Sequence, residues 1–139
     1  MVKHEIKVRV RYAETDQMRY VYYGNYAQYF EMGRTELIRS LGLSYRNMEE
    51  EWGILLPVRD LRINYLKPAF YDDELTIVSA IRKIPGASIE IEHEIYNPEN
   101  IIITTGTVTL VFFSLQTKRP VKAPPDFLSA LYSHWKYDL

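Results

Sequence analysis

Between Asn25 and Leu41 the chain carries its one long run of helical periodicity. Tyr26, Tyr29, Phe30, Gly33, Leu37 and Leu41 recur at helical spacing and define a single buried stripe. Gln28, Glu31, Arg34, Glu36 and Arg39 fall mostly on the remaining surface. Asn25 fits an N-cap, with Gln28 three residues on as in a capping box, and Gly42 suits the C-terminal cap. From Ile54 onward the apolar residues alternate at every second position instead. One amphipathic helix needs an apolar surface to cover it, and these strands supply one. The economical solution is an α+β fold, a curved antiparallel sheet of about five strands wrapped around the single long helix. Gly33, which costs a helix interior roughly 1 kcal/mol against alanine, marks where the helix backbone lies close to that sheet.

Around this helix the elements are read in order. Lys3 to Arg11 alternates Ile6, Val8 and Val10 with charged residues, as a strand buried on one face does. Ser44 opens a brief helix over Tyr45 to Trp52, closed by Gly53, with Glu49, Glu50 and Glu51 on a solvated face. Ile54 to Val58 begins a strand with Pro57 at an edge or bulge, and Leu61, Ile63 and Tyr65 continue the alternation to a break at Lys67-Pro68. After the Asp72-Asp73 turn come strands over Glu74 to Ile84, Ser88 to Tyr96 and Ile101 to Leu115, separated by Pro85-Gly86 and Asn97-Pro98. From Ile54 onward the chain thus reads as a meander of about four antiparallel strands. Leu110, Val111, Phe112 and Phe113 place apolar residues on both faces, so that part of the last strand is covered on both sides. Asp126 to Tyr132 forms a short terminal helix after Pro124-Pro125. With no internal repeat or linker, residues 1–139 read as one domain.

Composition excludes several classes of function. A formal net charge of −1 removes the broad electrostatic case for nucleic acid or an acidic membrane. The absence of cysteine removes disulfides, a thiolate nucleophile and Cys-ligated metal. His4, His93 and His134 are far apart and show no metal-ligand spacing, so no metal is expected, and His93, in phase with Ile89, Ile91 and Ile95, reads as a hydrogen-bonded structural histidine. No glycine-rich phosphate loop, H-E-x-x-H or G-x-S-x-G is present, and nothing requires a cofactor. No apolar run approaches the roughly 20 residues that span a bilayer. The alternating N-terminus lacks the apolar core of a signal peptide, and a cytoplasmic protein is expected.

The chemistry concentrates just ahead of the helix, in a polar, aromatic-rich loop that contains Asp16. A carboxylate-bearing loop running into a helix N-terminus sets a negative oxygen beside unpaired N–H groups and partial positive charge. Such an end suits a carbonyl oxygen or an oxyanion.

The sequence R-Y-A-E-T-D-Q-M…V-Y-Y-G-N-Y…F-E-M-G-R-T-E-L over residues 11 to 37 resembles the opening of the 4-hydroxybenzoyl-CoA thioesterase family of hotdog-fold proteins, in its bacterial acyl-CoA thioesterase branch. The resemblance implies that Asp16 is the motif carboxylate, nucleophile or general base towards a thioester. It implies that Tyr23, at the helix entrance, donates its backbone N–H to the thioester carbonyl, and that Gly24 and Asn25 turn the chain into the helix. It further implies an acyl-CoA substrate and a homotetramer, a dimer of hotdog dimers with active sites at subunit interfaces. Two positions depart from the pattern. Relatives commonly have a small residue where this chain has Arg19, and one subgroup has a histidine where it has Tyr23.

Read from the residues alone, hydrolysis of a thioester needs little apparatus. An aspartate, with an ordinary pKa of about 3.9, is charged at neutral pH and can attack directly to give a mixed anhydride, or can deprotonate water. An aimed donor at the carbonyl oxygen is worth about 3–4 kcal/mol, against about 0.3–1 kcal/mol for helix-end electrostatics alone. The aimed hydrogen bond therefore decides. Taken alone, a loop aspartate before a helix is more often a solvated turn residue; with the family resemblance, attack is assigned to Asp16 and polarisation to the N–H groups around Tyr23 and Gly24. Gln17, Tyr22 and Asn25 are candidates to line the pocket, and Glu31 is a reserve carboxylate, while Glu14 and Thr15 read as structural. Twelve tyrosines spread over the whole chain read as core and interface packing rather than as an aromatic-acyl site. The alternative function is a non-catalytic acyl-CoA or acyl-carrier-protein binder using the same cleft. An acyl-thioester dehydratase fits less well, because no histidine lies in this segment. A sheet curled around one helix is also expected to leave strand edges and an apolar outer face for a partner subunit to cover.

Overall fold

In the computed structural model, which describes residues 1–137, the helical stripe is buried as its spacing predicts. Helix α1 (Tyr26–Ser40) buries Tyr26, Tyr29, Phe30, Gly33, Leu37 and Ile38, and Leu41 follows into the core. It ends where Gly42 takes φ +84° and donates to the Arg39 carbonyl at 2.9 Å, while the Leu43 amide donates to Ile38 at 3.3 Å. Two orphan carbonyls are satisfied this way, and Leu43 folds back onto the core beside Ile38. The start of the helix differs from the expected cap. A tight 3-10 turn, Tyr23–Asn25, precedes α1, and Asn25 has helical dihedrals with no capping bond. Its side-chain amide donates instead to the Glu14 carbonyl at 2.9 Å, so the Asn25–Gln28 capping box does not form.

Strand β1 (Val2–Arg9) precedes the helix; α2 (Tyr45–Asn47), capped by Ser44 and continued by a wide turn over Met48–Trp52, follows it. Then come β2 (Ile54–Leu55), β3 (Val58–Tyr65), β4 (Glu74–Ile81), β5 (Ser88–Tyr96), β6 (Ile102–Val111), β7 (Phe113–Ser114), β8 (Arg119–Pro120) and α3 (Pro125–His134). The main sheet is five-stranded and antiparallel in the order β1-β4-β5-β6-β3, with α1 packed chiefly on β1 and β4. This is the arrangement that the hotdog resemblance implies. Only β4, β5 and β6 form a true meander. Strand β3 lies at the far edge, so residues 66–73 must cross the end of the sheet to reach β4, and they pass under the entrance of α1. Phe112, expected in a continuous last strand, is where β6 stops; the chain then enters a small second sheet, β2-β7-β8. There Phe112 meets Phe127 of α3 edge to face, with ring centroids 5.1 Å apart.

The outer face of the sheet also differs from expectation. Lys3, Ala80, Glu92, Thr107 and Arg62 share one row across it, and Glu5, Val78, Glu94, Thr105 and Asn64 share the next. Threonine and charge predominate, so this face is polar. The uncovered apolar surface lies instead on the inner side of the edge strand, where Val58, Leu61 and Tyr65 are 48%, 40% and 49% exposed. On that same inner face the helix packs chiefly on β1 and β4, towards the other edge of the sheet, and leaves them open.

At mid-helix, Gly33 brings backbone against sheet as its cost predicts: a Cβ there would lie 2.5 Å from Ser79 Oγ and 2.8 Å from Ile77 Cγ2. Beneath it His93 shares a 2.8 Å hydrogen bond with Ser79 Oγ through Nδ1 and stacks on Phe30, centroids 4.6 Å apart. Burial, with the Arg34 cation adding, drops the His93 pKa from 6.5 to about 3. A depressed imidazole pKa means that the unfolded chain takes up a proton near pH 6.5 that the folded chain refuses. The resulting stability is complete above pH 6.5 and is lost as pH falls towards 3, by up to about 1.4 kcal/mol per pH unit. Thermal melts between pH 7 and 5 should therefore show Tm falling with acid, and His93→Gln should flatten that slope; an unchanged slope would remove His93 as its source.

Candidate active site

The loop from Arg11 to Tyr22 is held on three sides. A 3-10 turn at Tyr12–Glu14 leaves β1, and Thr15 and Val21 then pair across a short hairpin. The crossover supplies the floor: the Val21 amide donates to Ala69 at 2.8 Å, and Tyr20 pairs with Phe70, their rings meeting edge to face. Asp72 and Asp73 tie the end of the crossover to Val10. The loop is thus fastened to the sheet by residues more than forty positions later in the chain.

Asp16 opens the hairpin turn. Its amide donates to the Tyr20 carbonyl at 2.9 Å, and its Oδ1 accepts the Met18 amide at 2.9 Å. Its Oδ2 has no hydrogen-bond partner among the described residues, and the residue is half-buried. The Asp16 charge reaches Tyr26: burial chiefly raises that hydroxyl's pKa, the Ala69 amide opposes this, and Tyr65 and Asp16 add to the rise. The tip holds Gln17, exposed, and Arg19, which closes the turn at φ +70°. Glycine, lacking a Cβ, enters that region without strain, whereas a side-chain-bearing residue such as Arg19 does so at a cost.

Beyond the hairpin, the amides at the helix entrance divide into bonded and free. Tyr22 donates to Glu14 at 2.8 Å, Asn25 donates to Tyr22 at 2.9 Å, and Tyr26 donates to Tyr23. The Tyr23 and Gly24 amides lie between these positions and have no acceptor among the described residues. They are the leading donors of a helix end. Tyr22 lays its ring across Gly24, where a Cβ would come within 2.8 Å of it. From the edge strand Tyr65 donates its hydroxyl to the Tyr23 carbonyl at 3.1 Å and meets the Tyr23 and Tyr26 rings edge to face.

Tyr20, Tyr23, Tyr26, Tyr65, Lys67 and Pro68 line an open cavity of about 260 Å³ between loop, helix entrance and crossover. Several tyrosines read from the sequence as packing are therefore half-exposed cavity walls. The sequence reading did not place Tyr65 or Lys67 in this cavity. The inward phase of Tyr65 and the break at Lys67-Pro68 were visible, but not the far-edge position of β3 that brings both here. Of the predicted residues, Asp16, Tyr22, Tyr23, Gly24 and Asn25 gather at this end of the molecule. Glu31 does not: it lies on the flank of α1 with Arg34, Tyr45, Glu49 and Leu55–Pro57, around a separate groove of about 350 Å³. Glu14, read as structural, is buried and hydrogen-bonded throughout. No group of three or more His, Asp or Glu side chains among the described residues is arranged to hold a metal ion. No helix among them is long and apolar enough to cross a membrane.

The sequence matches the Thioesterase-like superfamily over residues 10–131. It is 37% identical over 127 residues to the candidate acyl-CoA thioesterase YneP of Bacillus subtilis, covering 89% of this chain and 91% of that one. It is 30% identical over 129 residues to the acyl-CoA thioesterase YbgC of Haemophilus influenzae, covering 93% of each. The fold superposes on the DHNA-CoA thioesterase of Staphylococcus aureus with a TM-score of 0.88 at 34% identity, over 96% of this chain and 91% of that one.

Proposed function

The chain belongs to the thioesterase-like superfamily, and from that membership we propose that it hydrolyses acyl-CoA thioesters to a free carboxylic acid and CoA, with Asp16 and the Tyr23 and Gly24 amides as its working groups. The reading is supported by the acceptor-free amides of Tyr23, itself a wall of the cavity, and of Gly24 next to it, together with the unpartnered Asp16 Oδ2, whose charge acts on the cavity-lining Tyr26. With the thioester carbonyl oxygen on those amides, developing negative charge meets preorganised donors. The Asp16 carboxylate then either adds to the carbonyl carbon or takes a proton from an attacking water. In the first route the C–S bond breaks with departure of CoA thiolate, leaving an aspartyl mixed anhydride that water cleaves to the acid. In the second, water supplies the new C–O bond directly and the same thiolate leaves.

The walls formed by Tyr20, Tyr23 and Tyr65 suit the arm of the substrate next to the thioester, with Tyr22 and Gln17 at its margin. The Asn25 amide is committed to Glu14 and serves to hold the entrance. The proposed assembly is a homotetramer of hotdog dimers, supported by the uncovered inner side of β3 and the polar outer face of the sheet. Glu31 lies on the flank of α1 around a separate groove, apart from this cavity. Release of free thiol from a panel of short, long and aromatic acyl-CoAs tests the activity. Turnover of at least one class at about 10⁴ M⁻¹ s⁻¹ or above, the lower end of the ordinary range of kcat/KM for enzymes, is expected; no hydrolysis across the panel would remove it.

A further inference from the structure

We propose that Glu14 is a positioning residue for this reaction, holding the Asp16 carboxylate in register with the Tyr23 and Gly24 amides; the inference rests on the assignment of those groups given above. Glu14 is only 7% exposed. Its Oε1 accepts the Arg11 amide at 2.8 Å and the Tyr29 hydroxyl at 2.9 Å. Its Oε2 accepts the Arg11 guanidinium through Nε at 3.2 Å and Nη2 at 3.1 Å. Its carbonyl accepts the Tyr22 amide at 2.8 Å and the Asn25 side-chain amide at 2.9 Å. One residue thus binds the end of β1, the interior of α1 and both sides of the Tyr23-Gly24 pair, two positions before Asp16. Both carboxylate oxygens are occupied, so Glu14 has no free oxygen for substrate.

A buried carboxylate is a poor way to gain stability, because desolvation offsets much of the attraction to its partners. The Arg11 side chain is 74% exposed, which weakens that attraction further. What the carboxylate supplies and an apolar side chain does not is direction. Its bond to Tyr29, which is fully buried in α1, ties the loop to the helix rather than to solvent. Displacing a reacting group by about 1 Å can cost 10²-fold in rate, so this tie is expected to appear in kcat more than in KM.

The test measures kcat, KM and Tm for Glu14→Gln, Tyr29→Phe and their double variant on a hydrolysed acyl-CoA. Leu131→Ala, in the core at the other end of the helix, serves as the stability control. Tyr29→Phe removes a single hydrogen bond and keeps the ring, so it tests the tie even where Glu14→Gln fails to fold. Each single variant is expected to lose about 10-fold or more in kcat with KM within about 2-fold. The double variant is expected to be no worse than the poorer single one, because both act through one bond. Leu131→Ala should lose Tm and keep kcat. Wild-type kcat in folded Tyr29→Phe, or a raised KM with kcat intact, overturns the inference. Asp16→Asn in parallel separates the failures. If it is inactive while Tyr29→Phe is normal, only the positioning role falls; if it hydrolyses normally, both fall.

Discussion

Asp16→Asn is expected to lower kcat for acyl-CoA hydrolysis by about 10²–10⁴-fold, the range that a positioned acid, base or nucleophile contributes, with Tm close to wild type. Two features of the loop separate chemistry from structure here. The Oδ1 of Asp16 accepts the Met18 amide and shapes the turn, and an asparagine oxygen accepts the same bond. The other oxygen, which has no partner among the described residues, becomes an NH₂ that can neither attack a carbonyl nor take a proton. The turn should therefore survive and the reaction should not. In transition-state terms the loss is about 3–5 kcal/mol, larger than any helix-end electrostatic contribution of about 0.3–1 kcal/mol. KM should stay within a few-fold, since the cavity walls are untouched. An acyl-CoA or carrier-protein binder using the same cleft would have no need of this oxygen. Unchanged turnover in a folded Asp16→Asn protein would end the assignment. Loss in Glu31→Gln instead would move the chemistry to the flank of α1.

How much of this was legible in the sequence depends on whether the signal was local. The stripe from Tyr26 to Leu41 could be read because burial on a helix repeats within one element. Gly33 could be read because a glycine inside a helix is costly unless something presses against it, and the Ser79 and Ile77 side chains do. That the loop bearing Asp16 runs into a helix entrance at Tyr23 and Gly24 could be read because loop and helix are adjacent in the chain. The misses all turn on partners distant in sequence. Asn25 has the right chemistry for an N-cap, but a carbonyl eleven residues earlier takes its amide. Glu14 sits in a polar stretch, and nothing local says that Tyr29 will reach back to cover it. Tyr65, Lys67 and Phe70 reach the site only because β3 pairs with β6 and leaves the crossover to travel beneath the helix entrance. Leu110 to Phe113 read as one strand covered on both faces, but that two-sided apolar pattern records a strand leaving one sheet for another.

The same dependence on distant partners makes Gly106 the position where one methyl group should harm the fold most. Gly106 lies in β6, buried, opposite His93 of β5 and Ile63 of β3. A Cβ there would stand 2.3 Å from Cε2 and 2.7 Å from Cζ of Phe30, and 2.5 Å from the Arg62 carbonyl oxygen. Phe30 cannot easily swing aside, being fully buried and stacked on His93 at an interplanar angle of 12°. The Arg62 carbonyl belongs to the backbone of the neighbouring strand, so it moves only with β3. Alanine would recover about 0.5–1 kcal/mol of backbone entropy in the unfolded comparison. Overpacking a rigid core costs typically about 1–3 kcal/mol and sometimes more, and contact with both an immobile ring and a strand backbone belongs at the upper end. Gly106→Ala should therefore lose about 2–3 kcal/mol net, seen as a fall in urea midpoint and a Tm lower by about 6–12 °C. Gly33→Ala should lose less. There the close atoms are side chains, one of them the rotatable Ser79 hydroxyl, and helix propensity returns about 1 kcal/mol. Adding Phe30→Leu to Gly106→Ala should recover part of the loss, because the shorter side chain vacates the space that the methyl needs. A wild-type melting temperature in Gly106→Ala, or a larger loss in Gly33→Ala, would mean that the helix is not held against β6 as closely as these distances require.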